Sequence, residues 1–235
     1  MTTLNILSGG AAQGLVGSVT PDFKVMTGFD IGGEFGAVGA MAEKLRKGMP
    51  TDIVILTAKL IADLAEEKLV VPASITDIGL VETAMAVRTG DPLVAVTDAA
   101  TLREAFLAAD AIFVPDTQAS TAGIHVAKVL GQLGIADAVA ARLKIYPNGA
   151  TAMRHLAESG AARPIGCTQS TEIISTKGVT LSGSLPRGCE LSTMYTAAVT
   201  VRAAAPKQAQ GLIDLLRAAD TSKRRVEAGF LDPAG

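Results

Sequence analysis

Residues that could hold an anion lie in short turns, each between an apolar run and a helical pattern. The first turn is Ser8–Ala12, which follows the run Leu4–Leu7 and precedes a helical stripe that begins at Leu15. Glycine and alanine in such a turn leave the free N–H groups of the first helical turn open to a ligand. This turn therefore predicts one wall of a site for an anion or a small polar molecule.

Turns of the same kind recur along the chain, and each follows a predicted strand. They are Gly36–Gly39, the position of Thr57, the hydroxyl-rich loop 115–123, the turn 147–150 with Asn148, and the polar segment 168–172. Ligands of open α/β sheets lie beyond the carboxyl ends of the strands. We therefore expect these turns to converge on one ligand, with Ser120 and Thr121 as the strongest candidates for side-chain contacts.

Groups for acid–base chemistry are scarce in these turns. His125, Asp116 and Glu172 are the plausible ones, and they form no convincing pair. Asp116 also fits a loop cap and His125 a packing role, so both interpretations stay open. Neither His125 nor His155 has a second ligand at metal-binding spacing, and 33–39 matches no nucleotide-binding loop. The sequence thus predicts no metal and no cofactor.

Composition excludes several classes of partner. The 235 residues carry a net charge of −2 and 3% aromatic residues, so we expect no nucleic-acid partner. The apolar runs are far shorter than the ~18 residues that a membrane span needs. Cys167 and Cys189 are too few for a disulfide framework, and we expect two buried free thiols.

The N-terminal residues lead directly into a strand, without the features of a signal peptide. As given, the chain is therefore expected to be cytoplasmic. If a signal peptide has been removed, a periplasmic location is expected instead.

The order of apolar runs and helical patterns predicts a mixed α/β protein. Strands and helices alternate up to about residue 67, a second α/β series follows the turn Gly90–Pro92, and the last section returns to the first. This path predicts two lobes, each a mixed sheet flanked by helices, with a ligand cleft between them. Lobe I comprises residues 1–82 and 196–235, lobe II comprises residues 83–195, and two crossing segments join them.

Local signals refine this outline. The segment Thr101–Glu104 matches a capping box and predicts a helix that starts there. Apolar residues alternate from Tyr195 to Val201, which predicts one long strand, and Pro206 predicts the first residue of the next helix.

Four segments together resemble the type II periplasmic binding proteins, specifically the branch that includes the molybdate-binding proteins. They are Leu4–Ala11, Thr51–Leu56, the loop from Pro115 through Ile124, and Gly134–Asp137. Each segment is short, and the resemblance depends on their order and spacing over nearly the whole chain. It implies a two-lobed fold that closes on a ligand held by hydroxyls and by N–H groups at helix starts.

The turn at 147–150 contributes Asn148 as a candidate ligand contact. The other candidate contacts are carried over from the resemblance, position by position. They are Ser8, Gly9, Gly10, Ala11, Gly36, Ala37, Val38, Gly39, Thr57, Ser120, Thr121, Ala122, Gln169 and Ser170.

Three hydroxyl-bearing regions of the molybdate binders differ in this sequence. A serine is replaced by Ala11, a tyrosine by Gln169, and a serine-rich turn by Gly36–Gly39. Each lost donor removes about 1–3 kcal/mol if a buried anion is left unsatisfied. We therefore expect a larger organic anion or a neutral polar ligand in place of molybdate.

Two functions follow from these observations. The first is a solute-binding protein that captures a small anion or carboxylate by hinge closure and, if exported, presents it to an ABC permease. The second is a cytoplasmic isomerase or lyase on the same fold that acts on a small organic carboxylate. In that case His125, Asp116 and Glu172 are the candidate catalytic residues.

Overall fold

The structure is a computed structural model, and it describes residues 2–232. The strands are β1 (Thr3–Gly9), β2 (Asp30–Gly36), β3 (Ile53–Thr57), β4 (Thr76–Arg88), β5 (Ala111–Pro115), β6 (Leu143–Tyr146), β7 (Pro164–Gln169), β8 (Val179–Ser184) and β9 (Ser192–Val199). The helices are α1 (Gln13–Thr27), α2 (Val38–Arg46), α3 (Ala58–Glu66), α4 (Ala99–Ala108), α5 (Thr121–Gln132), α6 (Ala136–Val139), α7 (Gly149–Ala157), α8 (Ser170–Ile174), α9 (Pro206–Arg217) and α10 (Ser222–Glu227).

The chain divides into two compact units. The first unit contains residues up to Val81 and from Thr193 onward, and the second contains Glu82–Ser192. The boundaries therefore fall within β4 and at the start of β9. The first boundary lies one residue before the predicted lobe boundary, and the second lies three residues before it. Residues 1 and 233–235 of predicted lobe I lie outside the described residues.

The sheet of the first unit has the strand order β2-β1-β3-β9. β1 runs parallel to β2 and to β3, and β9 runs antiparallel to β3. The register pairs Gly9 with Gly36 and Ser8 with Ile55. The carboxyl ends of the three parallel strands, and the turns that follow them, consequently lie at the same edge of this sheet.

The helices of the first unit follow the predicted apolar stripes. Leu15, Val19 and Phe23 of α1 are fully buried, and Gly28 ends the helix in the left-handed conformation with φ +74°. Glycine adopts that conformation without the steric cost that a Cβ imposes. Pro206 is the first residue of α9, as its fixed φ favours.

The sheet of the second unit places β5 between β6 and β7 in parallel, with β4 antiparallel to β7 and β8 antiparallel to β4. Both of its faces are covered. Met85 and Val87 pack in a cluster with residues of α4 and α5, whereas Ala84 and Ala86 pack with residues of α7. Alternate side chains of a strand point to opposite faces, so this sheet has an α5 face and an α7 face.

Three local predictions differ from the structure. α4 begins at Ala99, because Asp98 and Thr101 form the capping box there, so the predicted start at Thr101 is wrong. β9 ends at Val199, and the predicted extension to Val201 is wrong because the chain turns at Val201. β8 was not predicted, since its sequence VTLSGS carries no clear apolar alternation.

Two sequence expectations concern the chain as a whole. Cys167 and Cys189 are free and buried, which confirms that prediction. Within residues 2–232 no single helix is long and apolar enough to span a membrane; the bent pair Thr121–Gln132 and Ala136–Arg142 meets the criterion only by length and composition.

Candidate functional site

The first unit brings three of the predicted turns to one sheet edge. Ser8–Ala12 spans the end of β1 and the short 3-10 turn after it, Gly36–Gly39 follows β2, and Thr57 ends β3. Ser8, Gly9, Gly10, Ala11 and Val38 are buried, and Gly36, Ala37, Gly39 and Thr57 are partly buried. The structure thus places these nine predicted residues together within this unit.

Hydroxyl groups at this edge have internal partners. Ser8 Oγ donates to the carbonyl oxygen of Gly9 at 2.9 Å, and Thr57 Oγ1 accepts from the Leu60 amide at 3.4 Å. No side chain caps α1 or α2. What this unit offers a ligand is therefore backbone N–H groups.

Gly9 explains why the first turn is so compact. A Cβ at this position would lie 2.7 Å from both Tyr195 Cε1 and Val38 Cγ1. Only glycine allows the backbone to approach these two side chains so closely.

The second unit also brings its predicted turns to one sheet edge. β5, β6 and β7 are parallel, so Ser120–Ala122, Asn148 and Gln169–Ser170 all lie at or beyond the carboxyl ends of adjacent strands. These residues belong to three separate loops, and the parallel pairing alone places them at the same edge.

Ser120 precedes the 12-residue helix α5 without capping it. Its side chain is 9% exposed, and its hydroxyl has no hydrogen-bond partner within the described chain. A serine at this position ordinarily accepts from a first-turn amide. The hydroxyl and the uncapped start of α5 are consequently available to a ligand.

The loop before α5 is held by Asp116. Its Oδ1 accepts from the amides of Gln118 at 2.7 Å and Ala119 at 2.9 Å. A Cβ on Gly123 would overlap the Asp116 carbonyl, so glycine is required where α5 packs on this loop. Asp116 therefore shapes the loop that presents Ser120.

Gln169 carries the most informative feature of this edge. It is 3% exposed, and neither Oε1 nor Nε2 has a partner among the described residues. Leaving such buried polar atoms unpaired costs about 1–3 kcal/mol each. Cys167, two residues earlier, packs in the cluster on the α5 face, so strand alternation places Gln169 on that face as well.

Thr83 lies opposite Gln169 in the antiparallel pair of β4 and β7. Its backbone bonds to Leu191 and Leu185 instead of to β7, so the two residues form a non-hydrogen-bonded pair, in which side chains approach most closely. Thr83 Oγ1 is buried and unpaired too. One sequence signal marks this residue: it is a threonine directly before the apolar run Ala84–Val87.

Asn148 and Glu172 make internal contacts. Asn148 Oδ1 accepts from the Thr151 amide at 2.8 Å. Glu172, 5% exposed, accepts from Thr168 Oγ1 at 2.6 Å, and its Oε2 lies against Gly149 in the turn after β6.

The three candidate acid–base groups do not contact one another. His125 Nε2 lies 2.8 Å from the carbonyl oxygen of Cys189, Asp116 bonds to its own loop, and Glu172 bonds to Thr168. Burial raises the pKa of Glu172 above its usual value, and the hydrogen bonds it accepts oppose that shift. Among residues 2–232, no cluster of three or more His, Cys, Asp or Glu side chains is arranged to hold a metal ion.

Known proteins resemble this chain over nearly its full length. An aconitate isomerase from Pseudomonas sp. is 23% identical over 98% of this chain and 88% of its own length. The periplasmic molybdate-binding protein of Azotobacter vinelandii superposes with a TM-score of 0.81 at 17% identity, over 98% of this chain and all of that one. A sulfate-binding protein from Mycobacterium tuberculosis superposes with a TM-score of 0.74 at 19% identity, over 98% of this chain and 86% of that one.

Residues 4–231 match the family described as bacterial extracellular solute-binding protein. This match confirms the predicted type II periplasmic binding fold and the prediction that the chain binds a solute. The protein is therefore a member of the bacterial extracellular solute-binding protein family.

Proposed function

We propose that the chain captures a small organic carboxylate and releases it unchanged. The observation that carries this proposal is the buried amide of Gln169, which has no internal partner for its donor or its acceptor. A protein does not bury such a group without cost, and a ligand that bonds to it recovers that cost on binding.

The chemistry of Gln169 favours an organic ligand over an inorganic oxyanion. Molybdate and sulfate offer only acceptors at neutral pH, so they satisfy Nε2 and leave Oε1 unpaired. An organic acid with a hydroxyl or an additional protonated group can satisfy both atoms. The hydroxyls of Ser120 and Thr83 either donate or accept, and so fit the same ligand.

Charge leads to the same ligand class. None of the predicted contact residues is lysine or arginine, so helix starts and N–H groups must balance the ligand's negative charge. Such groups compensate a carboxylate without a fixed positive charge. The aconitate isomerase relative, whose named substrate is a small carboxylate, supports this class.

A titration series tests the proposal directly. Isothermal calorimetry would compare cis-aconitate, trans-aconitate, citrate, molybdate and sulfate under one buffer condition. We expect at least one carboxylate to bind and to stabilise the fold by about 2.7 kcal/mol at 100 times its dissociation constant. Tighter binding of molybdate or sulfate than of every carboxylate would contradict the proposal.

A second candidate function is isomerisation of a small unsaturated carboxylate. The similarity to an aconitate isomerase favours it, and the internal contacts of His125, Asp116 and Glu172 count against these three as acid–base groups. Proton NMR of cis-aconitate incubated with the protein separates the two functions. If the unmodified protein converts cis-aconitate and the Gln169→Leu variant does not, the protein is an isomerase. If cis-aconitate binds and is recovered unchanged, the result supports a binding protein.

Delivery to an ABC permease and a periplasmic location form the remaining part of this proposal. The family description, extracellular solute-binding protein, supports both. Expression from the native gene with a C-terminal tag, followed by osmotic shock, is expected to release the protein with the periplasmic fraction. Retention in the spheroplasts would favour the cytoplasmic alternative.

A further inference from the structure

The carboxylate of Glu172 lies where a ligand's carboxylate would be expected to bind. It is buried, and it lies against the start of α7, where a Cβ on Gly149 would overlap Glu172 Oε2 and where the amides of Gly149 and Ala150 act to lower the pKa of the carboxyl against the effect of burial. It accepts a hydrogen bond from Thr168 Oγ1 at 2.6 Å, and the nearby amide of Gln169 also acts to lower the pKa of the carboxyl. Three amides and one hydroxyl thus surround this buried carboxyl group.

Local sequence explains this arrangement. Gln169 is the N-cap of α8 and Glu172 is its third residue, the spacing at which a glutamate side chain reaches back toward the N-cap amide. The other donors come from a different loop, the turn after β6. One side chain thus joins two turns that are more than 20 residues apart in the sequence.

The first-turn amides of α7 face groups of the chain itself. The Glu172 carboxylate lies against Gly149, Asn148 Oδ1 accepts from the Thr151 amide, and the Asn148 carbonyl accepts from the Ala152 amide. Gly149, Ala150 and Thr151 carry first-turn N–H groups that have no helical partner, and Ala152 carries the first that bonds within the helix. The uncapped start of α5 is the contrasting case in the same unit.

Gly149 makes the close approach possible. A Cβ on this residue would overlap Glu172 Oε2 and Thr168 Oγ1. Glycine is therefore required at this position for the carboxylate to reach the helix start.

We propose that Glu172 is a positioning residue: its carboxylate occupies the start of α7 as an internal anion and fixes the turn bearing Asn148 against the turn bearing Gln169. This inference rests on the proposed function for its effect on ligand binding. The Glu172 carboxylate also keeps the ligand's negative charge away from the start of α7, so the ligand must bind to other groups at this edge. Glu172 then acts on the ligand through Asn148 and Gln169, and not as an acid or base.

Two variants isolate the carboxylate. Glu172→Gln keeps the shape of the side chain but turns two acceptor positions into donors, which oppose the amides of α7. Glu158→Gln removes the same charge at an exposed position just after the same helix and serves as the matched control. Hydrogen exchange measured on peptides covering residues 147–152 is expected to be about tenfold faster in Glu172→Gln and unchanged in Glu158→Gln.

Chemical rescue provides a readout that a purely structural role would not give. Glu172→Ala leaves a space with free donors, into which acetate fits as the missing group. Acetate is expected to raise the melting temperature of Glu172→Ala more than an equal concentration of chloride does, with no such difference for the unmodified protein. If Glu172→Ala does not fold, the exchange experiment with Glu172→Gln decides the same point.

Binding of trans-aconitate completes the test. We expect its dissociation constant to rise about tenfold in Glu172→Gln and to stay unchanged in Glu158→Gln. Unaltered exchange at residues 147–152, or equal effects of acetate and chloride, would overturn the inference whether or not trans-aconitate binds. Faster exchange with unaltered binding would overturn the positioning role alone. If no carboxylate of the titration series binds the unmodified protein, the proposed function fails, and the two ligand-free readouts then still decide the role of Glu172 at α7.

Discussion

The candidate turns of the two units use different chemistry. In the first unit the hydroxyls of Ser8 and Thr57 bond to their own backbone, and the turns offer N–H groups. In the second unit Ser120, Thr83 and Gln169 keep polar atoms without internal partners. Backbone amides accept any anion, whereas side chains with both donors and acceptors select among anions. Under the proposed function, this comparison predicts that the side chains of the second unit select the ligand, whereas the turns of the first unit contribute backbone N–H groups.

The strongest test of this difference is Gln169→Leu. The leucine side chain cannot bond to a ligand, so we expect binding of cis-aconitate, or of the tightest carboxylate in the titration series, to weaken by about 1–3 kcal/mol. Denaturant unfolding of the free protein should show equal or greater stability, because two unpaired buried polar atoms are removed. A loss of both binding and stability would mean that the amide has a partner in the free protein.

Gly9→Ala tests the first unit. Its Cβ would meet Tyr195 and Val38 at 2.7 Å, so we expect a loss of about 1–3 kcal/mol in unfolding free energy. Gly17→Ala is the matched control, because Gly17 lies in the exposed middle of α1 with nothing within 4 Å, and it should gain about 0.5–1 kcal/mol. Urea titration measures both. Unchanged stability of Gly9→Ala would show that this turn is not tightly packed.

Ser120→Ala, alone and together with Thr121→Ala, tests the second unit with a smaller expected change in ligand affinity. The Ser120 hydroxyl caps nothing, so its removal should leave stability within about 0.5 kcal/mol while weakening ligand binding by about 1 kcal/mol. Calorimetric titration and thermal unfolding give the two values. Unchanged affinity in the double variant would remove this pair from the site.

Asp98→Ala has the smallest expected effect on stability. It tests α4, whose start is capped by Asp98, in contrast to the uncapped start of α5. The hydrogen bond from the Thr101 amide holds the pKa of the exposed Asp98 carboxyl below its usual value. Because the folded-state pKa is depressed, this contribution to stability is present above the ordinary aspartate pKa of about 4 and is lost as the pH falls below it. The stability difference between the unmodified protein and Asp98→Ala should therefore shrink in acid, with ligand binding unaffected. Asp98→Asn retains a capping oxygen that does not titrate, so its stability relative to Asp98→Ala should lack this decrease.

Local signals made much of the fold predictable. Gly28 and Pro206 marked helix ends correctly, because a positive φ and a fixed φ are properties of single residues. The capping box was misplaced because two segments carry similar signals, and only the backbone geometry shows that Asp98 and Thr101 bond to each other. That the ligand lies between the two lobes remains a prediction.

The candidate site was only partly predictable, because some of its residues are brought together from positions far apart in the sequence. Ser120 and Gln169 follow predicted strands and could be proposed from their turns alone. Thr83 could not, because its place beside Gln169 depends on the pairing of β4 with β7, 86 residues away. Likewise, Glu172 is one of several carboxylates in the sequence until the fold brings Gly149 and Ala150 to it.

The sequence by itself determined the type and order of the helices and strands, the turns made of small residues, and the absence of positive charge among the predicted contacts. Periodicity, caps and residue chemistry are local, so they can be derived without a fold. Only the tertiary structure decided which polar groups are used internally and which are left for a ligand. Hydrogen bonds such as those of Glu172 and unpaired atoms such as those of Gln169 depend on neighbours that are remote in sequence, and burial sets their energetic weight.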